Sequence, residues 1–168
     1  MRSTDVLHEA YGRIGGVVHS AVAGLDADQL AYRPTETSNS IAWLVWHLTR
    51  IQDDHIADVA GSEQVWTAAG WAGRFGLPLE LSDTGFRHSP EQVAAVRVSD
   101  GSLLSQYYDA VHEQTRAYLQ TVTDDALDHV IDESWDPPVT LGVRLVSVIG
   151  DNLQHAGQAA YLRGLVTA

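Results

Sequence analysis

Four stretches of this chain repeat their apolar residues at the 3.6-residue spacing of an α-helix. They cover residues 4–23, 40–60, 101–122 and 140–164. A helix patterned in this way carries an apolar stripe that must be buried against another element. Four such helices joined by loops bury their stripes against one another. The sequence therefore predicts an all-α fold, a four-helix bundle.

The connections between these helices differ in regularity. Residues 26–33 predict a short helical turn, and residues 90–98 predict a short helix. Residues 123–139 read as a polar connection without regular structure. The connection between the second and third long helices, residues 61–90, is long and irregular, and connections of this length are often functional. We expect it to pack as a lid because it holds several aromatic residues, namely Trp66, Trp71, Phe75 and Phe86.

Composition limits the classes of function. A length of 168 residues predicts one domain, residues 1–168, and the absence of cysteine leaves imidazole and carboxylate groups as the metal ligands. The net charge is −12, and all ten basic residues are arginines scattered along the chain, which argues against nucleic-acid binding. No signal-peptide core and no apolar run of about 20 residues is present, so we expect a cytoplasmic location without membrane contact.

The last helix carries an acidic residue and a histidine on one face. Asp151 and His155 are four residues apart, and Val148, Ala159 and Leu162 lie close to the same face. A carboxylate buried there would be costly without a partner, and a divalent metal would supply one. The alternative interpretation is a plain Asp–His hydrogen bond or an exposed ion pair.

His47 is the third candidate metal ligand. It shares the apolar stripe of the second long helix with Leu44 and Ile51, where a histidine can also be a hydrogen-bonded core residue. Metal sites in helical bundles are built from side chains on facing helices. If the second and fourth long helices face each other, His47, Asp151 and His155 form a three-ligand site. Such a site leaves a coordination position open for water or substrate.

Asp54 and His55 follow His47 on the same helix. At about 1.5 Å per residue they lie roughly 10–12 Å further along the axis, too far to share its metal. We interpret them as proton carriers or pocket-lining residues. The alternative is a solvated surface cluster together with Asp53.

Two further residues are candidates for the site. Tyr108, in the third long helix, could place its hydroxyl in the pocket as a proton carrier, although core packing is the alternative. Gln158 lies one turn beyond His155 and could orient a ligand or bind a cofactor or substrate. The alternative for Gln158 is a polar residue at the open end of the bundle.

Two short motifs resemble the DinB superfamily of four-helix-bundle metalloproteins. They are residues 39–48, NSIAWLVWHL, and residues 155–158, HAGQ. Members of this superfamily have one metal-binding histidine on the second helix and two on the last. The resemblance therefore implies His47 and His155 as ligands, whereas Asp151 stands where many members have the third histidine.

The resemblance also implies a chemistry. Relatives include mycothiol-dependent maleylpyruvate isomerase and thiol S-transferases, so we expect a divalent metal (zinc, nickel, manganese or iron), a low-molecular-weight thiol and a small-molecule substrate. The expected activity is that of a metal-dependent S-transferase or isomerase. The alternatives are a non-catalytic stress protein that binds a metal or small ligand, and an iron oxygenase. The aromatic content is compatible with a homodimer.

Overall fold

The computed structural model describes residues 1–168 and confirms the all-α prediction. Its four long helices are α1 (Ser3–Val22), α3 (Ile41–Ala60), α7 (Gly101–Leu119) and α8 (Leu141–Val166). Helices α1 and α3 each pack against both α7 and α8, so the four helices enclose one core. None of the helices is both long enough and apolar enough to cross a lipid bilayer.

The ends of the long helices follow local signals in the sequence. Ser40 begins α3, since its hydroxyl accepts a hydrogen bond from the Trp43 amide. Gly61 ends the same helix in the left-handed conformation, with φ of 62°. Thr140 caps the start of α8 by accepting a hydrogen bond from the Val143 amide. These capping residues therefore fix where α3 begins and ends and where α8 begins, and these two helices carry the candidate metal ligands.

The shorter elements agree only in part with the predictions made from the sequence. Helices α2 (Ala27–Ala31) and α6 (Pro90–Ala95) lie where short helical segments were expected. The connection after α3 forms two helices, α4 (Val65–Ala68) and α5 (Trp71–Phe75), and its aromatic residues Trp66, Trp71 and Phe75 pack around Tyr107. This part of the connection extends the core, because all three aromatic side chains are buried.

The connection after α7 is more regular than the sequence indicates. A 3-10 turn at Asp125–Asp128 precedes an antiparallel pair of very short strands, β1 (Val130–Asp132) and β2 (Val139–Thr140). The turn between these strands presents Trp135 to solvent at the side of α8. The hairpin therefore forms one wall of a cavity beside that helix.

Asp53 belongs to a buried polar network, and the interpretation of it as part of a solvated cluster is wrong. Its carboxylate accepts hydrogen bonds from the amides of Val65 and Trp66 at 2.8 and 2.7 Å and from the Tyr107 hydroxyl at 2.8 Å. The guanidinium of Arg50, also fully buried, lies 3.6 Å away. Burial raises the pKa of Asp53, although these donors oppose the shift. The network fastens α4 to α3.

Candidate metal centre

The structure brings His47, Asp151 and His155 together between α3 and α8. One ligand atom from each residue can be chosen so that all three lie within 4.8 Å of one another. A buried hydrogen bond of 2.6 Å from the Asn152 side-chain amide to Gln52 Oε1 fixes the register of the two helices next to this cluster. Two histidines and one carboxylate thus converge from facing helices, as metal sites in bundles do.

Both imidazole rings are oriented by hydrogen bonds at Nδ1. His47 Nδ1 lies 2.5 Å from the Thr84 carbonyl oxygen, and His155 Nδ1 lies 2.9 Å from Gln158 Oε1. Both oxygens are acceptors, so each Nδ1 donates its hydrogen, and in the neutral form of each ring Nε2 is the nitrogen left to bind a metal. Outer hydrogen bonds of this kind set the tautomer and direction of metal-binding histidines. Gln158 therefore orients His155.

The Asp151 carboxylate gives the clearest indication that the cluster can bind a cation. Its Oδ2 atom is buried and has no hydrogen-bond partner, while Oδ1 lies 3.5 Å from His155 Nε2. A buried carboxylate oxygen without a donor is costly, and a divalent cation between the three side chains would remove that cost. The donor set of two imidazoles and one carboxylate fits such an ion.

The pKa shifts in this cluster follow from burial and mutual charge. Burial lowers the pKa of His47, which favours the neutral imidazole that a metal requires. Burial would raise the pKa of Asp151, but His155 and His47 outweigh it and lower that pKa. Burial alone would lower the pKa of His155, but hydrogen bonds with Asp151 and Gln158 outweigh that effect and raise the pKa.

The loop of residues 83–88 covers the His47 side of the cluster. The Asp83 carboxylate accepts a hydrogen bond from the Gly85 amide at 2.8 Å and one from His88 Nε2 at 2.8 Å. His88 Nδ1 in turn accepts a hydrogen bond from Trp43 Nε1 at 3.0 Å. The buried Arg50 donates from Nε to the Asp83 carbonyl at 3.1 Å. With the contact between His47 and Thr84, three hydrogen bonds from α3 therefore hold this loop in place.

Gly85 lets the loop approach His47 closely. A Cβ atom at this position would lie 2.7 Å from His47 Nδ1 and 3.0 Å from the Trp46 ring, and the φ angle is 89°. Both the space and the backbone conformation therefore require glycine. This close approach is what allows the neighbouring Thr84 carbonyl to reach the imidazole.

The other predicted residues fall in different places. His55 and Asp54 line a cavity of about 590 Å³ beside the cluster. His55 Nδ1 accepts a hydrogen bond from Arg144 Nη1 at 2.8 Å, and Asp54 accepts one from a glutamine of the neighbouring loop, Gln64, at 2.7 Å. Tyr108 is not brought to the cluster. It is buried against α1, where its hydroxyl donates to the Tyr11 carbonyl at 3.4 Å.

Several site residues have no signal in the sequence. Thr84 acts through its main-chain carbonyl, which no residue type reveals. Trp135 reaches the cavity beside the cluster only because the β1–β2 hairpin folds back on α8, which itself carries Arg144. Asp83 and Gly85 stand in the stretch Ser-Asp-Thr-Gly, whose composition is typical of a tight turn. That turn signal could have drawn attention to the loop, although not to its contact with His47.

Comparisons with known proteins agree with this architecture. The profile of the family described as Mycothiol-S-transferase matches residues 7–168. The chain is also similar to a solved structure described as the crystal structure of the conserved protein of locus from Enterococcus faecalis. The two are 36% identical with a TM-score of 0.92, over 99% of this chain and 98% of that chain. No curated protein matches the chain.

Proposed function

Since this chain belongs to the mycothiol-S-transferase family, we propose that it is a divalent-metal-dependent enzyme that transfers a low-molecular-weight thiol of the mycothiol type to an electrophile, or isomerises a substrate by way of such a thiol. The proposal includes His47, Asp151 and His155 as the metal ligands and a cytoplasmic location, where small thiols are kept reduced.

One observation carries the proposal. The unpartnered Asp151 Oδ2 is buried between two imidazoles whose Nδ1 atoms are already occupied by acceptors. Neither an Asp–His hydrogen bond nor an ion pair accounts for all three side chains, since Oδ2 would remain unsatisfied. A divalent cation held by two histidine Nε2 atoms and the carboxylate would satisfy the cluster.

The chain supplies binding and orientation for the chemistry. A divalent cation at this centre would lower the pKa of a thiol bound to it, so that thiolate is available at neutral pH. His47 and His155 would offer their Nε2 atoms as ligands, on rings oriented by Thr84 and Gln158. Asp151 offsets one unit of the cation's charge. The 83–88 loop shields the His47 side of the centre from water.

The test measures metal and activity in the same preparations. Protein purified from metal-replete cells should contain one divalent metal ion per chain by elemental analysis. His155→Ala and His47→Ala should lose most of that metal. The same two variants should lose transfer of mycothiol to monobromobimane. His129→Ala, which alters a histidine outside the cluster, should retain both the metal content and the transfer activity.

Two outcomes would contradict the proposal. Wild-type protein without stoichiometric metal would argue against the metal centre. Full metal content in the wild type without thiol transfer or thiol-dependent isomerisation would favour the non-catalytic alternative, in which the metal holds the fold or a small ligand. Asp151→Asn separates these roles further. If the metal is purely structural, this substitution should lower thermal stability and leave any turnover unchanged.

A further inference from the structure

The cavity beside the metal centre has features that the transfer of a thiol does not by itself require. It adjoins the cluster at three points, since it is lined by Thr84, by Ile51 one turn from His47, and by Ser147 one turn from Asp151. Its volume is about 590 Å³, enough for a small organic molecule. A molecule in this cavity would lie next to a thiol held at the centre.

Two exposed aromatic rings line this cavity from different connections. Phe86, in the loop of residues 83–88, is 70% exposed, and Trp135, in the hairpin turn, is 66% exposed. Large aromatic side chains that stay in water beside a concave site are available for stacking on a ligand. Their flat faces favour a planar molecule over a branched aliphatic one.

His55 adds a directed hydrogen-bond donor to the same cavity. A guanidinium can only donate, so the 2.8 Å contact from Arg144 Nη1 makes His55 Nδ1 an acceptor and leaves the ring hydrogen on Nε2. Burial and the Arg144 charge lower the pKa of His55, in keeping with a neutral ring. The Nε2 atom has no protein partner and is not among the buried unpartnered atoms, so a ligand oxygen can reach it.

Arg144 does not make the cavity an anion site. Its second terminal nitrogen is bound to the Asp132 carboxylate at 3.1 Å, and the Asp54 carboxylate also lines the cavity. The positive charge is therefore balanced within the protein. An uncharged ligand with an accepting oxygen matches this surface better than a carboxylate does.

We propose that this cavity binds the electrophilic substrate, and that the substrate is a flat, uncharged conjugated carbonyl compound stacked on Trp135 and Phe86 with its oxygen bound by His55. This inference rests on the proposed function and names its second substrate. The thiolate sulfur bonds to the β-carbon as the carbon–carbon π bond opens, and the electron pair moves to the carbonyl oxygen, which His55 faces. The proton lost by the thiol returns to the α-carbon from water.

Binding of a reversible probe tests the cavity directly. Because the chain has no cysteine or lysine, a conjugated ketone meets no thiol or lysine amine that would capture it. The probe is 4-phenylbut-3-en-2-one, and its Kd for the metal-loaded protein is measured by calorimetry. Trp135→Ala should raise that Kd by about three- to tenfold, the scale of one lost aromatic contact. Trp135→Phe should restore most of the affinity.

His55 variants test the hydrogen bond separately. His55→Leu removes the donor and should also raise the Kd by about three- to tenfold. His55→Gln should bind nearly as tightly as the wild type, because its amide can donate from the same direction. In turnover, Trp135→Ala should raise KM for the enone and leave KM for the thiol unchanged.

A second cavity provides the matched control. It measures about 640 Å³ on the Gln158 side of the cluster and is lined by Tyr161, which is 69% exposed. Tyr161→Ala should leave the Kd for the enone unchanged. The inference is overturned if the wild type does not bind the probe, if Trp135→Ala and His55→Leu bind it normally, or if Tyr161→Ala weakens it instead.

The same measurements separate this inference from the proposed function. If the Kd values follow the expected pattern but no thiol is transferred, the cavity assignment stands and the proposed function fails. If mycothiol is transferred to monobromobimane while Trp135→Ala and His55→Leu leave the Kd for the enone unchanged, the proposed function stands and the cavity assignment fails.

Discussion

The carboxylate at position 151 sets the character of the candidate centre. With a divalent cation, two neutral imidazoles and one carboxylate leave a net charge of +1, whereas three imidazoles would leave +2. A carboxylate is also a harder ligand, so the site is less selective for soft metals than a three-histidine site. The Oδ2 atom of Asp151 is buried without a donor, and a cation at the centre would supply the missing partner.

Gly85 is not a ligand, but it should affect the affinity for metal through its contact with His47. Gly85→Ala would place a methyl group 2.7 Å from His47 Nδ1 and displace either the ring or the Thr84 carbonyl. Disturbing an outer contact of this kind typically weakens metal binding by about 10–100-fold, which a competition titration with a chelating indicator measures.

Gly70→Ala is the control for that change. Gly70 also has a positive φ, 71°, but an added Cβ would meet nothing within 4 Å. Its substitution should cost stability through backbone strain and leave the metal affinity unchanged. Equal losses of affinity in the two variants would show that strain alone, and not contact with His47, is responsible.

Among the structural elements, α3 does the most to position the site. It places His47 in the cluster and, one turn later, Arg50, whose guanidinium donates a hydrogen bond to the Asp83 carbonyl of the covering loop. Arg50 in turn faces the buried Asp53. The position of the 83–88 loop therefore depends on the buried charge pair of Arg50 and Asp53.

Breaking that pair should therefore be costly. Asp53→Ala would leave Arg50 buried without its carboxylate and free the amides of Val65 and Trp66, lowering the free energy of unfolding by about 3–5 kcal/mol. Urea denaturation measures this loss. Asp109→Ala, which removes an exposed partner of His19, should change it by less than about 1 kcal/mol. A loss below 1 kcal/mol in Asp53→Ala would contradict the structural role assigned to the network.

For the whole molecule, the sequence predicts the long helices well because each spans several turns and repeats its apolar stripe. His47 and the Asp151–His155 pair could be placed together for the same reason, since facing helices fix which side chains meet. The β1–β2 hairpin could not be predicted, because strands of three and two residues carry too little pattern. The contact of Thr84 with His47 depends on a main-chain carbonyl in a loop, which residue types do not encode.

Binding of metal at the junction of α3 and α8 should stabilise the entire bundle. An ion that binds only the folded chain adds about 2.7 kcal/mol at a free concentration 100 times its Kd. Since α8 packs on both α1 and α3, this energy should appear as a rise in the single unfolding temperature and not as a local effect. Calorimetric scans with and without added metal should therefore show a higher Tm for the wild type, while His155→Ala should show little rise. A comparable rise in His155→Ala would mean that the ion binds elsewhere on this acidic protein, whose formal net charge is −12.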